Sequence, residues 1–130
     1  MSRATSWRLL QGRLIDAAVL TCQVADRLPR SPLGIHIAGQ LVRSSTAPAP
    51  NYAEAQGAES RRDFVHKMRI CLKELRETEV WLQLIHRLEM ADQSDTIERA
   101  TAEVNELIAI FTKSVLTAAR GRNERGVRGE

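Results

Sequence analysis

The chain has 130 residues, of which 43% are apolar and 27% charged, a composition typical of one globular domain. No run approaches the roughly 20 apolar residues that span a bilayer, and the N-terminus lacks the apolar stretch of a signal peptide. We therefore expect a cytoplasmic protein with no membrane contact. The net charge is +3, and sixteen of the nineteen basic residues are arginine, whose planar guanidinium suits phosphate recognition.

The first predicted helix follows from apolar residues spaced three and four apart, as on one face of a helix. The pattern occupies positions 7, 10, 14, 17, 21, 24 and 28, all of them apolar except Thr21. The pattern stops at Leu28, and Pro29 and Pro32 then mark a loop, because proline removes an amide donor and disfavours helical geometry before it.

The second predicted helix begins after Pro32 and carries Ile37, Leu41 and Val42 toward the core. Two prolines at positions 48 and 50 cannot lie in an unbroken helix, so the sequence predicts a kink or short break there. The following glycine at position 57 is suited to a left-handed stop conformation.

The third predicted helix covers residues 60–89, and no glycine or proline interrupts it. Its positions 64, 68, 71, 75, 78, 82 and 85 form a seam in which only Thr78 is not clearly apolar. Ser60 and Asp63 resemble a helix-capping pair. Trp81, Leu84 and Leu88 form a second apolar stripe, which a broad core face could absorb in part but which favours a subunit interface.

The fourth predicted helix has Ile97, Ala100, Val104, Leu107, Ile108, Phe111, Val115 and Ala118 on one side. The fold class predicted is all-α: an up-down-up-down antiparallel four-helix bundle over residues 1–120, with a kinked second helix. Residues 121–130 (GRNERGVRGE) are almost devoid of apolar side chains, which predicts a disordered, flexible Arg/Gly-rich tail.

Several polar residues lie close to the predicted core, and their first interpretation is structural. Glu74 is next to a seam position, where a carboxylate needs a partner, and Arg43 is a candidate. We expect interhelical or intersubunit polar contacts from Arg43, Asn51, Glu54, Glu74 and Glu77. A ligand-binding or catalytic carboxylate pair is the alternative.

Basic residues cluster at three places that an up-down bundle brings to one end. They are Arg3, Arg8 and Arg13 in the first helix, Arg61 and Arg62 at the start of the third, and Arg120, Arg122, Arg125 and Arg128 at the end. Such a positive end attracts phosphate. We expect sequence-nonspecific binding to structured RNA or DNA, without base stacking, because only 4% of the residues are aromatic.

No enzyme motif accompanies these residues. A di-iron bundle needs two Glu-x-x-His repeats, whereas residues 63–66 contain the single acid-x-x-His pair. Walker, zinc-protease and nucleophile-elbow motifs do not occur, and the two cysteines, Cys22 and Cys71, are expected to be reduced, buried and not zinc ligands. The sequence predicts no catalytic residue, no metal and no cofactor.

Several segments resemble a known family: residues 40–46 (QLVRSST), 51–55 (NYAEA), 63–64 (DF), 72–79 (LKELRETE), 81–82 (WL), 106–111 (ELIAIF) and 117–120 (TAAR). It is the bacterial four-helix-bundle family of ribosomal-RNA intervening-sequence proteins, to which the accessory variability protein of diversity-generating retroelements is related. The resemblance implies a ring, commonly a homopentamer, with a basic surface that in retroelement members binds RNA and a reverse transcriptase. Ala55 and the prolines at 48 and 50 depart from the family pattern.

Two functions follow as hypotheses. The first is a non-enzymatic, homo-oligomeric nucleic-acid-binding accessory protein, whose partners are its own copies, RNA or DNA, and a reverse transcriptase. The alternative is a protein-interaction scaffold with no nucleic-acid role.

Overall fold

The computed structural model describes the backbone of residues 3–129 and the side chains of residues 6–121. Within residues 3–129 five helices follow one another: α1 (Arg3–Asp26), α2 (Pro32–Thr46), α3 (Pro48–Gln56), α4 (Arg61–Arg87) and α5 (Thr96–Gly129). α2 and α3 together form one kinked rod, so the five helices make four rods. The predicted all-α four-helix bundle is confirmed.

Each rod contacts two neighbours in the bundle. α1 lies against α2, α3 and α5, and α4 lies against the same three helices from the other side. The core is divided into two clusters along its length, one around Leu14, Leu75 and Phe111 and the other around Leu41 and Ile85.

The contacts at the start of α2 explain the sequence of the loop between α1 and α2. Ser31 caps the helix by accepting the Gly34 N–H at 3.0 Å, and Pro32 occupies the first turn, where its missing N–H costs nothing. A Cβ on Gly34 would clash with the Pro29 carbonyl oxygen. Only glycine therefore allows the loop to pass this close to the helix.

The break between α2 and α3 is confined to Ala47, which keeps ordinary helical dihedrals of φ −77° and ψ −37°. Pro48 has no N–H to continue the ladder of α2, and its ring fits the first turn of α3 instead. Asn51 reconnects the two helices, since both its N–H and its side-chain amide donate to the Ala47 carbonyl, at 3.2 and 3.0 Å. The predicted kink is confirmed.

α4 matches the predicted seam along most of its length. Ser60 accepts the Asp63 N–H at 3.0 Å, and the seam positions from Met68 to Ile85 are buried. The polar seam residue Thr78 is tolerated because its hydroxyl is paired, at 2.9 Å, with both the Ser44 hydroxyl and the Glu74 carbonyl.

The end of α4 differs from a glycine-terminated helix. Glu89 adopts φ 53°, and the Met90 and Glu89 N–H groups donate to the Ile85 and His86 carbonyls, at 3.0 and 3.1 Å. This is a Schellman arrangement closed by a glutamate. Gly57, in contrast, ends α3 with φ −101°, so the expected left-handed stop at that position is wrong.

Two further expectations need correction. Val42 is exposed, because it lies on the outer side of α2, about 100° around the helix from the buried Leu41. The backbone of α5 is helical to Gly129, beyond the boundary expected at residue 120, as no proline follows Gly121. The flexibility of residues 121–130 stays a prediction.

Candidate nucleic-acid interface

One end of the bundle brings together parts of four helices. They are the start of α1, the end of α3, the start of α4 and the part of α5 around Ala118. The Arg61 Nε donates to the Ala118 carbonyl at 3.3 Å, which fixes the start of α4 against α5. The Trp7 ring meets the Tyr52 ring edge-to-face at a centroid distance of 6.4 Å, which joins α1 to α3. We call this end the basic pole, defined by Arg8, Arg61, Arg62 and Arg120.

All four arginines of the basic pole are exposed. The Arg8 guanidinium lies 5.5 Å from the centroid of the Trp7 ring, in a cation–π contact. The Arg61 guanidinium lies across the backbone of Gly121, where an added Cβ would be 2.5 Å from Nη2. The predicted RNA-binding residues Arg122 and Arg125 lie outside the described side chains, so their role stays a prediction.

Arg13 does not belong to the basic pole. Its Nε and Nη2 lie 2.9 Å from Glu103 and 3.0 Å from Glu106, and these contacts, the hydrogen bond to Glu103 first, raise the pKa of the guanidinium. The two glutamates precede Ala118 by 15 and 12 residues, which is about 20 Å along α5. Because its charge is already paired with two carboxylates, Arg13 is left out of the basic pole, and its contact with nucleic acid stays a prediction.

An open groove of about 780 Å³ crosses the basic pole between α1, α3 and α4. Trp7, Tyr52 and Phe64 line it together with Arg61 and Glu59. Sequence reasoning did not identify the groove, because Trp7 and Phe64 matched core positions of their own helices and Tyr52 entered only as part of the family-like segment 51–55. The proximity of three aromatic side chains becomes visible only once the helices are assembled.

A sequence profile of the 23S rRNA-intervening sequence protein family matches residues 13–113, most of the bundle. The chain belongs to this family. Arg61 and Arg62 lie inside the matched region, whereas Arg8 and Arg120 lie outside it. A search of functionally curated proteins finds no match.

A solved structure supports the same assignment. It is a protein of unknown function from the S23 ribosomal protein family of Bacteroides thetaiotaomicron VPI-5482, which is 28% identical with a TM-score of 0.74. The match covers 84% of this chain and 96% of that one. The intervening-sequence fold thus extends over nearly the whole described bundle.

The polar residues expected near the core of this intervening-sequence protein form a connected group. Glu74 is 7% exposed, and its carboxylate lies 3.2 Å from the Arg43 guanidinium and 3.6 Å from the Lys73 ammonium. Arg43 also pairs with Glu77, which raises the pKa of Arg43. The Trp81 indole N–H, followed by Arg43, lowers the pKa of Glu77.

The remaining predicted polar residues have local partners. Asn51 bridges the kink at Ala47, as described above. The exposed Glu54 accepts from the Lys67 ammonium at 2.8 Å, which raises the pKa of Lys67 and ties α3 to α4. Within one chain these residues hold helices to helices, and any intersubunit contact stays a prediction.

The second apolar stripe of α4 is divided between core and surface. Trp81 is half-buried, with its ring edge-to-face against His36 at 6.1 Å. Leu84 and Leu88 are 38% and 46% exposed. The core therefore covers only Trp81 of this stripe. Leu84 and Leu88 remain exposed, and their role in a subunit contact stays a prediction.

Another groove, of about 510 Å³, lies between α4 and α5 near the opposite end of the bundle. Leu82, His86, Ile97 and Asn105 are among its lining residues, and it contains no predicted site residue.

Within the described side chains, no three His, Cys, Asp or Glu are grouped as a metal site requires. None of the described helices is long and apolar enough to cross a membrane.

Proposed function

We propose that this protein is a non-enzymatic, homo-oligomeric accessory protein that binds structured RNA through its basic pole. The observation that carries the proposal is the convergence of Arg8, Arg61, Arg62 and Arg120 at one end of the bundle, where the Arg61–Ala118 hydrogen bond joins α4 to α5. Membership in the 23S rRNA-intervening sequence protein family supports RNA as the ligand.

Electrostatics explain why the pole binds phosphate more strongly than the net charge of +3 suggests. Binding releases the counterions condensed on RNA, and the favourable binding free energy from this release grows with the number of phosphates contacted. Arginine adds bidentate hydrogen bonds to each phosphate. In a homo-oligomer the pole is repeated in every copy, so the number of contacts is multiplied.

Paired charge removal tests the site. We expect Arg62→Gln/Arg120→Gln to weaken binding to a structured RNA and to reduce the slope of log K against log salt by about 1.5 to 2, as two phosphate contacts are lost. The matched control is Arg87→Gln/Arg99→Gln, which removes the same charge from exposed positions at the opposite end. Mobility-shift titrations between 50 and 200 mM salt give both slopes.

The control makes the outcome decisive. Equal losses in both double variants would show a general charge effect and would contradict a site at the basic pole. The absence of any salt-sensitive shift with the unmodified protein would contradict RNA binding itself.

The finer proposal rests on the sequence resemblance to the accessory variability protein. It states that the oligomer is a pentamer and that its protein partner is a reverse transcriptase. Native mass spectrometry gives the number of copies, and copurification with a reverse transcriptase expressed from the same genome tests the partner. Monomers at micromolar concentration would contradict the first point.

A protein-interaction scaffold is the second candidate, and the exposed apolar residues on the outer faces of α1 and α2 favour it. They are Leu9, Ile15, Val19, Leu33, Ile35 and Val42. Removing residues 121–130 separates the two functions, because RNA affinity falls if the tail contributes to the basic pole and is unchanged if the protein is only a scaffold.

A further inference from the structure

We propose that the groove at the basic pole is a pocket for one unpaired nucleobase of the bound RNA, stacked against Trp7. This inference rests on the proposed RNA-binding function and makes it more specific. It reverses the expectation, drawn from the low aromatic content, that bases play no part in binding.

The first support is the concentration of aromatic rings in the groove. Three of the chain's five aromatic residues, Trp7, Tyr52 and Phe64, line it. Trp7 and Phe64 are half-buried, so each presents part of its ring to solvent. Aromatic side chains at the edge of a basic surface are the usual means by which proteins stack unpaired bases.

The second support is the rigidity of the stacking surface. The buried Tyr52 holds the Trp7 ring edge-to-face, and Tyr52 in turn packs edge-to-face on the core residue Phe111, at a centroid distance of 5.4 Å and an angle of 72°. The Trp7 ring is thereby connected to the centre of the bundle. Because the Trp7 ring is already held in place, stacking a base on it costs little side-chain entropy.

The third support is the charge around the groove. Arg61 lines it, and Arg8 lies over the Trp7 ring, so guanidinium groups flank the aromatic surface as they would flank the phosphates of a stacked nucleotide. The Glu59 carboxylate also lines the groove. It repels phosphate but accepts hydrogen bonds from the amino groups of bases, which favours the base over the backbone in that part of the groove.

The dimensions agree with this ligand. A groove of about 780 Å³ lies within the range of about 300 to 1,000 Å³ found for small-molecule sites. It has room for a base and its sugar. A base-paired duplex does not expose the faces of its bases, so the pocket selects loops and single-stranded ends.

Tryptophan emission reports on the pocket directly. Trp81→Phe leaves Trp7 as the single tryptophan, because the chain contains two. We expect an RNA hairpin with an unpaired loop to quench Trp7 emission and a fully paired duplex of the same composition to bind without quenching. Heparin, a polyanion without bases, should compete for the basic pole and leave the emission unchanged.

Affinity gives a second, independent measurement. Trp7→Leu should weaken binding of the hairpin about tenfold more than binding of the duplex, since stacking contributes only to the unpaired base, whereas loss of the Arg8–Trp7 contact affects both RNAs. Thermal unfolding of the variant establishes that it is folded. If it is not, the emission measurement on the folded Trp81→Phe protein decides the question.

The outcomes separate this inference from the proposed function. Binding of hairpin and duplex with equal affinity and unchanged Trp7 emission would overturn the base pocket and leave RNA binding at the pole intact. Failure of both RNAs to bind would overturn the two together.

Discussion

Glu74 and Cys71 show how single side chains with polar chemistry are accommodated inside the bundle. Glu74 is buried beside the half-exposed Arg43, which satisfies the carboxylate on α4 from the neighbouring α2. The Cys71 thiol donates to the Pro48 carbonyl at 3.4 Å, and burial raises its pKa to about 12. Both residues hold the α2–α3 rod to α4 at the level of the kink.

The two cysteines should react at very different rates with a thiol reagent. Both are free, and Cys71 is fully buried, but Cys22 is only half-buried, so the expectation that both are buried is wrong for Cys22. At pH 8 we expect Cys22 to be labelled in the folded protein and Cys71 only after unfolding, because the thiolate is the reactive form and the raised pKa of Cys71 suppresses it. Mass spectrometry of the Cys22→Ser variant, with and without urea, measures the Cys71 signal alone.

The raised pKa of Cys71 also predicts the direction of a pH effect. The folded state favours the neutral thiol, so the stability that this group contributes is present at neutral pH. It is lost as the pH rises from the ordinary thiol pKa toward about 12. Labelling of folded Cys71 at a rate equal to that of Cys22 would contradict this interpretation.

Residue-level prediction from the sequence succeeded where the position of a residue on its own helix reveals its surroundings, and it failed where the surroundings depend on how the helices are assembled. The position of Glu74 beside the seam indicated that it needs a partner, and the structure provides Arg43. Nothing local indicates that Arg13 pairs with Glu103, 90 residues away. The groove formed by Trp7, Tyr52 and Phe64 is remote in the same sense, because it is shared by three helices.

At the level of elements, prolines and glycines decide where the helices begin and end. The prolines at 29, 32 and 48 predicted the boundaries correctly, since a missing N–H has the same effect in any context. Glycine was less informative, because it permits a left-handed stop without requiring one. The left-handed position is occupied by Glu89 instead of Gly57.

Two glycines of α2 should respond in opposite ways to the same substitution. Gly34→Ala places a methyl group against the Pro29 carbonyl and should destabilise the fold by about 1 to 3 kcal/mol. Gly39→Ala meets no atom within 4 Å and should stabilise the helix by about 0.5 to 1 kcal/mol. Urea unfolding followed by circular dichroism measures both. A neutral Gly34→Ala would contradict the close approach of the loop.

On the scale of the whole molecule, the bundle leaves large apolar side chains exposed in groups. Val80 and Leu84 of α4 and its C-cap residue Leu88 follow one another at four-residue spacing, which places them on one face. Grouped apolar residues on a surface indicate a contact with another molecule. Their burial against a second copy is the simplest basis for the proposed oligomer.

Charge introduced on this face should dissociate the oligomer. We expect Leu84→Arg/Leu88→Arg to reduce the mass in solution to the monomer value of 14.6 kDa, because a subunit contact cannot bury two unpaired guanidinium groups. Leu116→Arg is the matched control, on α5 and 53% exposed, and should leave the mass unchanged. Light scattering at micromolar concentration compares them. Dissociation by the control alone would relocate the interface to α5.

The contacts of Arg13 have a consequence for the groove at the basic pole. Its ion pairs with Glu103 and Glu106, one turn apart on α5, favour one axial position of α1 relative to α5. The relative position of Trp7 and Arg61 therefore depends in part on an ion pair that lies six residues, about 9 Å along α1, from Trp7 and does not line the groove. Loosening that anchor would misalign the mouth of the groove, and binding would suffer although every residue lining it is intact.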